Sequence, residues 1–367
     1  MNAKPTNTQR AARAAARHMA DRDTPFIYNE WYVAGFSEEF GHNLTKRTLL
    51  GKGIVFYRKA AGAVVALRNR CAHRAFPLSE SILDGDTIVC AYHGLRYDET
   101  GKCVEVPATG QKKMKGLCVP VFPIVEQNPL VWIWMGDPQL ADRDQIPKLE
   151  LMSSQWRYSR DYIHLGANYV YLHENLLDLT HLSYLHRNTF GTPDFASAPY
   201  ETKIDDDEIS ITRSAVPTTL PPIWADTTGI VGENQGARIT QSKFVTPGLQ
   251  LINARFYDVT LNEGERPDQR IITAHIPTPE TKSTTHYFVM HGRNFARDND
   301  AITDYMHSQL MKAFQEDVVA LAAQEEVLAN SDDKFGEISV PTDAPGIAMR
   351  RLIKRRSDCE HRPSEQV

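Results

Sequence analysis

The sequence predicts an α+β protein in two parts: an all-β N-terminal domain, then a domain in which an antiparallel sheet closes around helices. Three observations carry this. Residues 28–137 read as short strands broken by turns. Residues 204–294 hold long strands close together, without the intervening helices of a parallel sheet. Residues 302–328 form one long helical run. A chain of 367 residues is long enough for two domains, each with its own core.

In chain order, residues 1–24 are rich in Ala and Arg, with Arg10, Arg13 and Arg17 at helical spacing and no apolar stretch of the secretory kind. They read as a frayed or weakly docked helix, an N-terminal extension. Residues 53–58 and 61–67 form a strand pair. Residues 87–90 and 95–98 are short strands on either side of a loop, and Thr100-Gly101 turns the chain into a strand at 102–106. Residues 130–134 are a strand that ends at Gly136-Asp137-Pro138. The polar, Pro-bounded stretch 138–147 marks the domain boundary, which gives a first domain over 25–147 and a second over 148–340. In the second, residues 169–185 read as a helix. Strands follow at 204–216, 238–245, 249–261, 270–276 and 285–294, then the helix at 302–328. Residues 341–367 are a basic tail (Arg350, Arg351, Lys354, Arg355, Arg356) that reads as a solvated face.

Hydrophobic residues make up 41% and charged residues 24% of the chain, ordinary for a globular protein. A net charge of −5 argues against nucleic acid or an anionic membrane as partner, and no apolar run reaches bilayer length. Five cysteines (Cys71, Cys90, Cys103, Cys118, Cys359) do not form an even disulfide framework and fit a reducing cytoplasm.

Two of those cysteines have a more specific reading. Cys71-Ala72-His73 is followed, after sixteen residues, by Cys90-Ala91-Tyr92-His93. Each loop offers one thiolate and one imidazole. That suits a [2Fe–2S] cluster in which two cysteines hold one iron and two histidines the other. A structural zinc is the competing reading, but zinc knuckles pair ligands of one type. Pro77 and Gly94 lie where such loops must turn.

A second site is suggested by Asn175, Asp178, His181 and His186. On an ideal helix His181 and His186 are roughly 140° apart, so they share a metal only if the helix ends or bulges between them. Asp178 and His181, three apart, are neighbours on one helix face, which Asn175 continues. On spacing alone, a pair of core or solvated histidines fits equally well. Oxygen-activating iron(II) takes two imidazoles and one carboxylate on one face. In the last helix Asp317 falls on the apolar stripe of Leu310, Phe314, Leu321 and Leu328, and Glu316 falls off it. A buried carboxylate must be paired or bind metal. Asp317 is therefore the expected third ligand, with a salt-bridged acid at the stripe edge as the alternative. His173, eight residues before His181, is expected in the core or behind the site. Among strand polar groups Asn253, Arg255 and His275 are candidates to meet substrate.

At these residues the chain resembles the oxygenase components of Rieske non-haem iron oxygenases, in the vanillate O-demethylase and dicamba monooxygenase branch. The likeness also takes in Thr278-Pro279-Glu280-Thr281, His286-Tyr287-Phe288, Arg293-Asn294-Phe295 and Glu316-Asp317, and covers nearly all of 28–328. It implies a Rieske domain followed by a helix-grip catalytic domain, and iron(II) on His181, His186 and Asp317. It implies an NADH-dependent reductase or ferredoxin as electron donor, a small aromatic substrate, dioxygen, and a homotrimer. Within that trimer Asp178 would bridge His181 to His93 of an adjacent subunit. The expected reaction is oxidative O- or N-dealkylation, with ring cis-dihydroxylation or methyl hydroxylation as alternatives. An electron-carrying Rieske protein without oxygenase activity, or a binding protein with structural zinc, are the readings from other classes.

Overall fold

In the computed structural model, which describes residues 6–109, 116–205, 208–330 and 337–362, the N-terminal strands build three small antiparallel sheets. A helix, α1 (Asn7–Ala16), precedes them and buries none of its residues. The strands are β1 (Trp31–Phe36), β2 (Thr45–Leu49), β3 (Lys52–Arg58), β4 (Val64–Arg68), β5 (Ile82–Asp84), β6 (Thr87–Val89), β7 (Arg96–Tyr97), β8 (Cys103–Glu105), β9 (Ile124–Gln127) and β10 (Leu130–Trp134). They pair as β1-β10-β9, β2-β3-β4 and β5-β6-β7-β8. β3 serves two cores at once, as the period-2 side-chain alternation of a strand requires. Ile54 and Phe56 pack with Tyr32, Phe40 and Ile133, while Val55 and Tyr57 pack with Leu67, Leu78 and Tyr97. The second of these cores holds Cys71 and Cys90 and so carries the two ligand loops.

The chain divides into two compact units, one of Phe26–Ile146 with Thr278–Thr281, the other of Met1–Pro25, Pro147–Pro277 and Lys282–Val367. The larger unit is built on a seven-stranded antiparallel sheet ordered β11-β17-β16-β15-β14-β13-β12. Its strands are β11 (Arg157–Leu165), β12 (Tyr200–Ile204), β13 (Ile209–Thr218), β14 (Gly236–Thr246), β15 (Leu249–Asp258), β16 (Gln269–Thr281) and β17 (Thr284–Arg293), and its helices α2 (Tyr169–Leu177), α3 (Pro222–Thr228), α4 (Asp300–Asn330) and α5 (Ala344–Glu360). One face of the sheet joins the helices in a core of Leu172, Leu176, Ile211, Trp224, Ala254, Phe256, Ile271, Leu310, Phe314 and Leu321, among others. On α4 the buried positions Met306, Leu310, Ala313, Phe314, Asp317 and Leu321 follow steps of three and four, a single stripe laid against the sheet.

Two expectations fail here. The helix foreseen over 169–185 stops at Leu177, and a short 3₁₀ turn, His181–Ser183, follows. The tail is not a solvated face. Residues 344–360 form α5, whose Arg350 is 4% exposed and donates to the Glu174 and Glu337 carboxylates at 3.1 and 2.6 Å and to the Ala20 carbonyl at 2.8 Å. A basic run looks solvated in sequence, but a buried guanidinium is tolerated once carboxylates pair with it. Residues 1–5 and 363–367 of the two terminal segments lie outside the described residues. Among the described residues no helix is long and apolar enough to cross a membrane.

Candidate metal centres

The two Cys/His loops close in the same way. Cys71 N donates to Phe76 O at 2.8 Å and Ala75 N to Cys71 O at 3.0 Å. Cys90 N donates to Leu95 O, and Gly94 N to Cys90 O, both at 2.8 Å. The fifth residue of each loop takes a left-handed backbone, Ala75 at φ 57° and Gly94 at φ 75°. Gly94 fits the sequence expectation of a turning residue. In the first loop the turning residue is Ala75, not Pro77, although an alanine pays a steric penalty there that glycine does not. A Cβ on Gly94 would also come within 3.1 Å of Pro107.

This shared turn buries each cysteine and leaves each histidine outside. Cys71 and Cys90 are 3% and 1% exposed, whereas His73 and His93 are exposed with ring centroids 4.6 Å apart. Burial raises the Cys90 thiol, and a hydrogen bond with the Cys71 sulfur raises it further. Two sulfurs this close favour a shared cation, because metal binding takes the place of their protons. The donor set, two buried sulfurs beside two facing imidazoles, fits a mixed-ligand [2Fe–2S] cluster. The Tyr97 hydroxyl lies 3.2 Å from Cys71 Sγ and accepts from Ala72 N at 3.3 Å, so that with Cys71 bound to iron as a thiolate the hydroxyl is the donor to the sulfur.

The second centre forms where α2 gives out. Asn168 caps the helix start, its side chain accepting from Val170 N at 2.9 Å. At the other end Asp178 turns extended, at φ −98° and ψ 96°. That break brings His181 and His186 together, their ring centroids 5.0 Å apart, facing Asp317 on α4. Asp317 Oδ1 lies 3.2 Å from His186 Nε2 and 3.6 Å from His181 Nε2. One donor atom from each of the three lies within 4.8 Å of the others. Asn175 Nδ2 donates to Asp317 Oδ1 at 3.2 Å, and its Oδ1 is buried without a partner. Gly191 lets the loop close behind the histidines: a Cβ there would lie 1.8 Å from the Leu182 carbonyl oxygen.

Each imidazole is oriented through Nδ1, which leaves Nε2 toward the carboxylate. His181 Nδ1 meets the backbone carbonyl of Asp178. This departs from the sequence expectation of a bond from the Asp178 carboxylate, whose Oδ1 instead accepts from Thr180 N at 2.8 Å. The helix ends between Asp178 and His181, so the face that would align their side chains does not exist. His186 Nδ1 is 2.7 Å from Glu316 Oε2. Glu316 lies off the apolar stripe of α4, so helical phase alone does not point to it. Its place next to Asp317 in sequence was the available signal. Burial pulls the His181 pKa down, outweighing Asp317. At His186 burial acts the same way, but bonds to Asp317 and Glu316 carry it upward. Two imidazoles and one carboxylate, each held by a second hydrogen bond, fit a divalent iron with open positions.

The triad opens on a cavity of about 60 Å³ inside the larger unit. Leu176, Leu182, Phe190, Ile252, Phe256 and Phe314 are among its walls. Ligand pockets generally start near 300 Å³, so an aromatic ring enters only if side chains such as Phe190 shift. His275 lines this cavity, and its Nδ1 shares a hydrogen bond with the Tyr287 hydroxyl. Asn253 does not. It alternates with Ile252 and Ala254 along β15 and lines the opposite side of the sheet with Gln241, Arg255 and Arg270. The substrate role foreseen for Asn253 and Arg255 is withdrawn on that ground. His173 is fully buried away from the triad, its ring nitrogens 2.8 Å from Gln250 Oε1 and 3.0 Å from Pro247 O.

Residues 30–123 match the profile of the Rieske [2Fe-2S] domain, and residues 165–358 that of the vanillate O-demethylase oxygenase C-terminal domain. This chain belongs to the Rieske oxygenase components of the vanillate O-demethylase family. The iron–sulfur subunit of the toluene-4-sulfonate monooxygenase system of Comamonas testosteroni is 36% identical, over 92% of this chain and 98% of that one. The oxygenase component of dicamba O-demethylase from Stenotrophomonas maltophilia is 33% identical over 82% of this chain and 88% of that one. A crystal structure of dicamba monooxygenase bound to 3,6-dichlorosalicylic acid superposes with a TM-score of 0.86 at 30% identity, covering 92% of this chain and all of that one. The protein is thus an oxidoreductase of the α+β Rieske type, with a [2Fe–2S] cluster and a mononuclear non-haem iron site.

Three expected outcomes follow from the geometry. Tyr97→Phe removes a hydrogen bond from a cluster sulfur. Such a bond stabilises the more negative, reduced cluster by about 1 kcal/mol, so the reduction potential should fall by roughly 40 mV. Protein-film voltammetry checks this, and an unchanged potential would show that the hydroxyl does not donate to the sulfur. Asp317→Ala should lose the mononuclear iron while the cluster's visible spectrum is kept. Glu316→Gln should weaken iron binding roughly 10- to 100-fold by loosening His186. Metal analysis after graded chelation reads both.

Proposed function

We propose that this oxygenase component hydroxylates an alkyl carbon of a small aromatic substrate, so that an O- or N-alkyl group leaves as an aldehyde. The observation that carries this is the placement of the His181–His186–Asp317 triad on the wall of a buried, mainly apolar cavity. Bound there, iron(II) would supply the reductive activation of dioxygen, with electrons delivered through the cluster from an NADH-dependent reductase or ferredoxin. One oxygen atom enters the alkyl carbon and the other, with two electrons and two protons, leaves as water. The hydroxylated carbon then collapses to an aldehyde and a phenol or amine. We assign electron entry to residues 25–147 and oxygenation to residues 148–340.

The protein's own side chains exclude water and set orientation. Leu176, Leu182, Phe190 and Phe314 keep the reacting carbon in an apolar shell. Burial lowers the His275 pKa to about 3, so its imidazole stays neutral at physiological pH and can meet substrate as a hydrogen-bond partner without adding charge. Relatives whose names describe such chemistry are the vanillate O-demethylase subunits and a chloroacetanilide N-alkylformylase component of Rhizorhabdus wittichii.

The assembly we propose is a homotrimer in the cytoplasm, where five unpaired cysteines are at home. A surface cleft lined by Glu174, Asn175, Asp178, Glu337 and Asp343 reaches His181. Its acidity complements the exposed Arg70 and Arg74 that neighbour His73 in the cluster loop. We assign that cleft to the cluster loops of an adjacent subunit, with Asp178 as the bridge: its backbone carbonyl holds His181 and its carboxylate would meet His93 of the adjacent subunit.

A methoxy- or N-alkyl-substituted aromatic supplied with a matching reductase should give one aldehyde per phenol or amine released. A cis-diol without aldehyde would move the enzyme to ring dihydroxylation, and a benzylic alcohol to methyl hydroxylation. Electron transfer between subunits is tested by mixing a Cys71→Ala chain with a His181→Ala chain, each inactive alone. Mixed trimers should recover part of the turnover. Verified mixed trimers without recovery would place the electron path within one chain.

A further inference from the structure

On the side of β11 a small second chamber adjoins the iron cavity. β11 is an edge strand of the seven-stranded sheet, and α4 packs beside it. In the seam between them lies a space of about 10 Å³, lined by Ser159 and Asp161 of β11, His291 of β17 and His307 of α4, among others. Ser159 pairs with His291 and Asp161 with Val289 across the two strands, so these four side chains stand on one face of the sheet. It is the face that joins the helices, because Val289 belongs to their common core. At the mouth of the chamber His307 Nε2 lies 3.4 Å from the Asp161 carboxylate, and both side chains reach solvent, 36% and 40% exposed. At the inner end His291, Leu310 and Phe314 line the chamber and the iron cavity alike, so one layer of side chains separates the two. Of those three only His291 is polar.

His291 is 6% exposed, and its two nitrogens are treated differently. Nδ1 lies 2.7 Å from the hydroxyl of Thr273, which also lines the iron cavity. Nε2 is buried without a hydrogen-bond partner. A buried nitrogen left so costs about 1–3 kcal/mol. A free volume of roughly 10–15 Å³ is the least that holds one water, provided two or more polar groups bind it. The chamber offers that volume and, with the His291 ring, the Ser159 hydroxyl, the Asp161 carboxylate and the His307 ring, those groups. One water there satisfies Nε2 and joins it to the ion pair at the surface. Burial lowers the His291 pKa to about 3, so the ring is neutral at physiological pH and carries a single proton. A neutral imidazole that accepts at one nitrogen while it donates at the other passes a proton without storing charge.

We propose that Asp161, His307, one water and His291 form a proton inlet to the iron cavity, ending at the Thr273 hydroxyl. Monooxygenation takes two electrons and two protons for each dioxygen, and one of those protons enters here. The ring starts with its proton on Nδ1, donated to Thr273 Oγ1. His307, protonated from solvent and held by Asp161, gives a proton to the water, and the water gives one of its own to Nε2. Nδ1 releases its proton to Thr273 Oγ1, whose own proton passes to the oxygen being reduced in the cavity. The first tautomer returns when product leaves and the cavity exchanges with bulk water: Nδ1 regains a proton from the Thr273 side as Nε2 gives one back to the chamber. The electrons arrive separately, through the cluster from the reductase or ferredoxin. The inlet serves the reduction of dioxygen and holds whichever substrate carbon is oxygenated.

The first test is a crystal structure of the iron-loaded protein. It should show one water within hydrogen-bond distance of His291 Nε2 and of Asp161 or His307. Ser159→Val fills the chamber, leaves Asp161, His291 and His307 in place, and should expel that water. A dry chamber in the wild type overturns the inlet. In the second test the fully reduced holoenzyme is mixed with dioxygen, with 4-methoxybenzoate, with methoxybenzene and with no aromatic. Reoxidation of the cluster is followed by its visible spectrum, and iron-free Asp317→Ala supplies the rate of direct cluster oxidation. The iron-dependent phase should slow about 10-fold or more in Ser159→Val, His307→Ala and His291→Gln, with a larger solvent isotope effect in heavy water than the wild type shows. The first two variants alter part-exposed positions and carry the test if His291→Gln does not fold. Added imidazole should restore part of the rate to His307→Ala and none to Ser159→Val, since a dissolved base replaces a proton donor but not a packing contact. Unchanged rates with the water in place would make it a structural water only, and failure of imidazole to rescue would leave His307 a packing role; either result overturns the inlet. If no iron-dependent phase exists in the wild type, the inlet and the oxygenase reading fall together. If the phase behaves as expected while no aromatic releases aldehyde, the inlet stands and the dealkylation reading falls.

Discussion

The carboxylate of Asp317 is the constraint around which the larger unit is arranged. It is 4% exposed on the apolar stripe of α4, where an unpaired anion would be prohibitively costly. Three groups from one short stretch meet it: Asn175 near the end of α2, and His181 and His186 just beyond. For all three to reach one oxygen, α2 must stop at Leu177 and the chain must reverse through the 3₁₀ turn at His181–Ser183. The broken helix is therefore what satisfies the buried acid. The same three donor atoms, once gathered, form a metal site.

The cluster loops answer a different constraint. A sulfur ligand is best kept dry, whereas an imidazole that passes electrons onward must be reachable. A five-residue turn with a left-handed residue at its fifth position does both, and it is used twice, at Ala75 and at Gly94. Cys71 and Cys90 point into the core with Leu78 and Tyr97, and His73 and His93 emerge side by side.

In the larger unit, polar character is divided between two approaches to His181 and His186. The surface cleft beside Asp178 is acidic and exposed, suited to a basic protein loop. The inner cavity is mainly apolar, with Arg238, Thr240, Thr273, His275 and His291 as polar groups among its lining residues.

The ligand types and their spacing were legible in the sequence because they sit on short local segments: two Cys/His loops, one histidine pair, and an acid at the right phase of a helical stripe. The order of strands and the long last helix were legible for the same reason, since side-chain period depends only on near neighbours. The parity of β15 was also present, with Asn253 and Arg255 alternating against Ile252, Ala254 and Phe256. What the sequence could not state is which face would hold the iron. Contacts between distant segments were likewise closed to it. These include Glu316 on His186, Arg350 between Glu174 and Glu337, and Arg238, Trp224 and His291 on one cavity wall. The end of α2 belongs with them. Nothing in Leu176-Leu177-Asp178-Leu179 breaks a helix by propensity alone. It breaks because Asp317, about 140 residues away in the chain, has to be met.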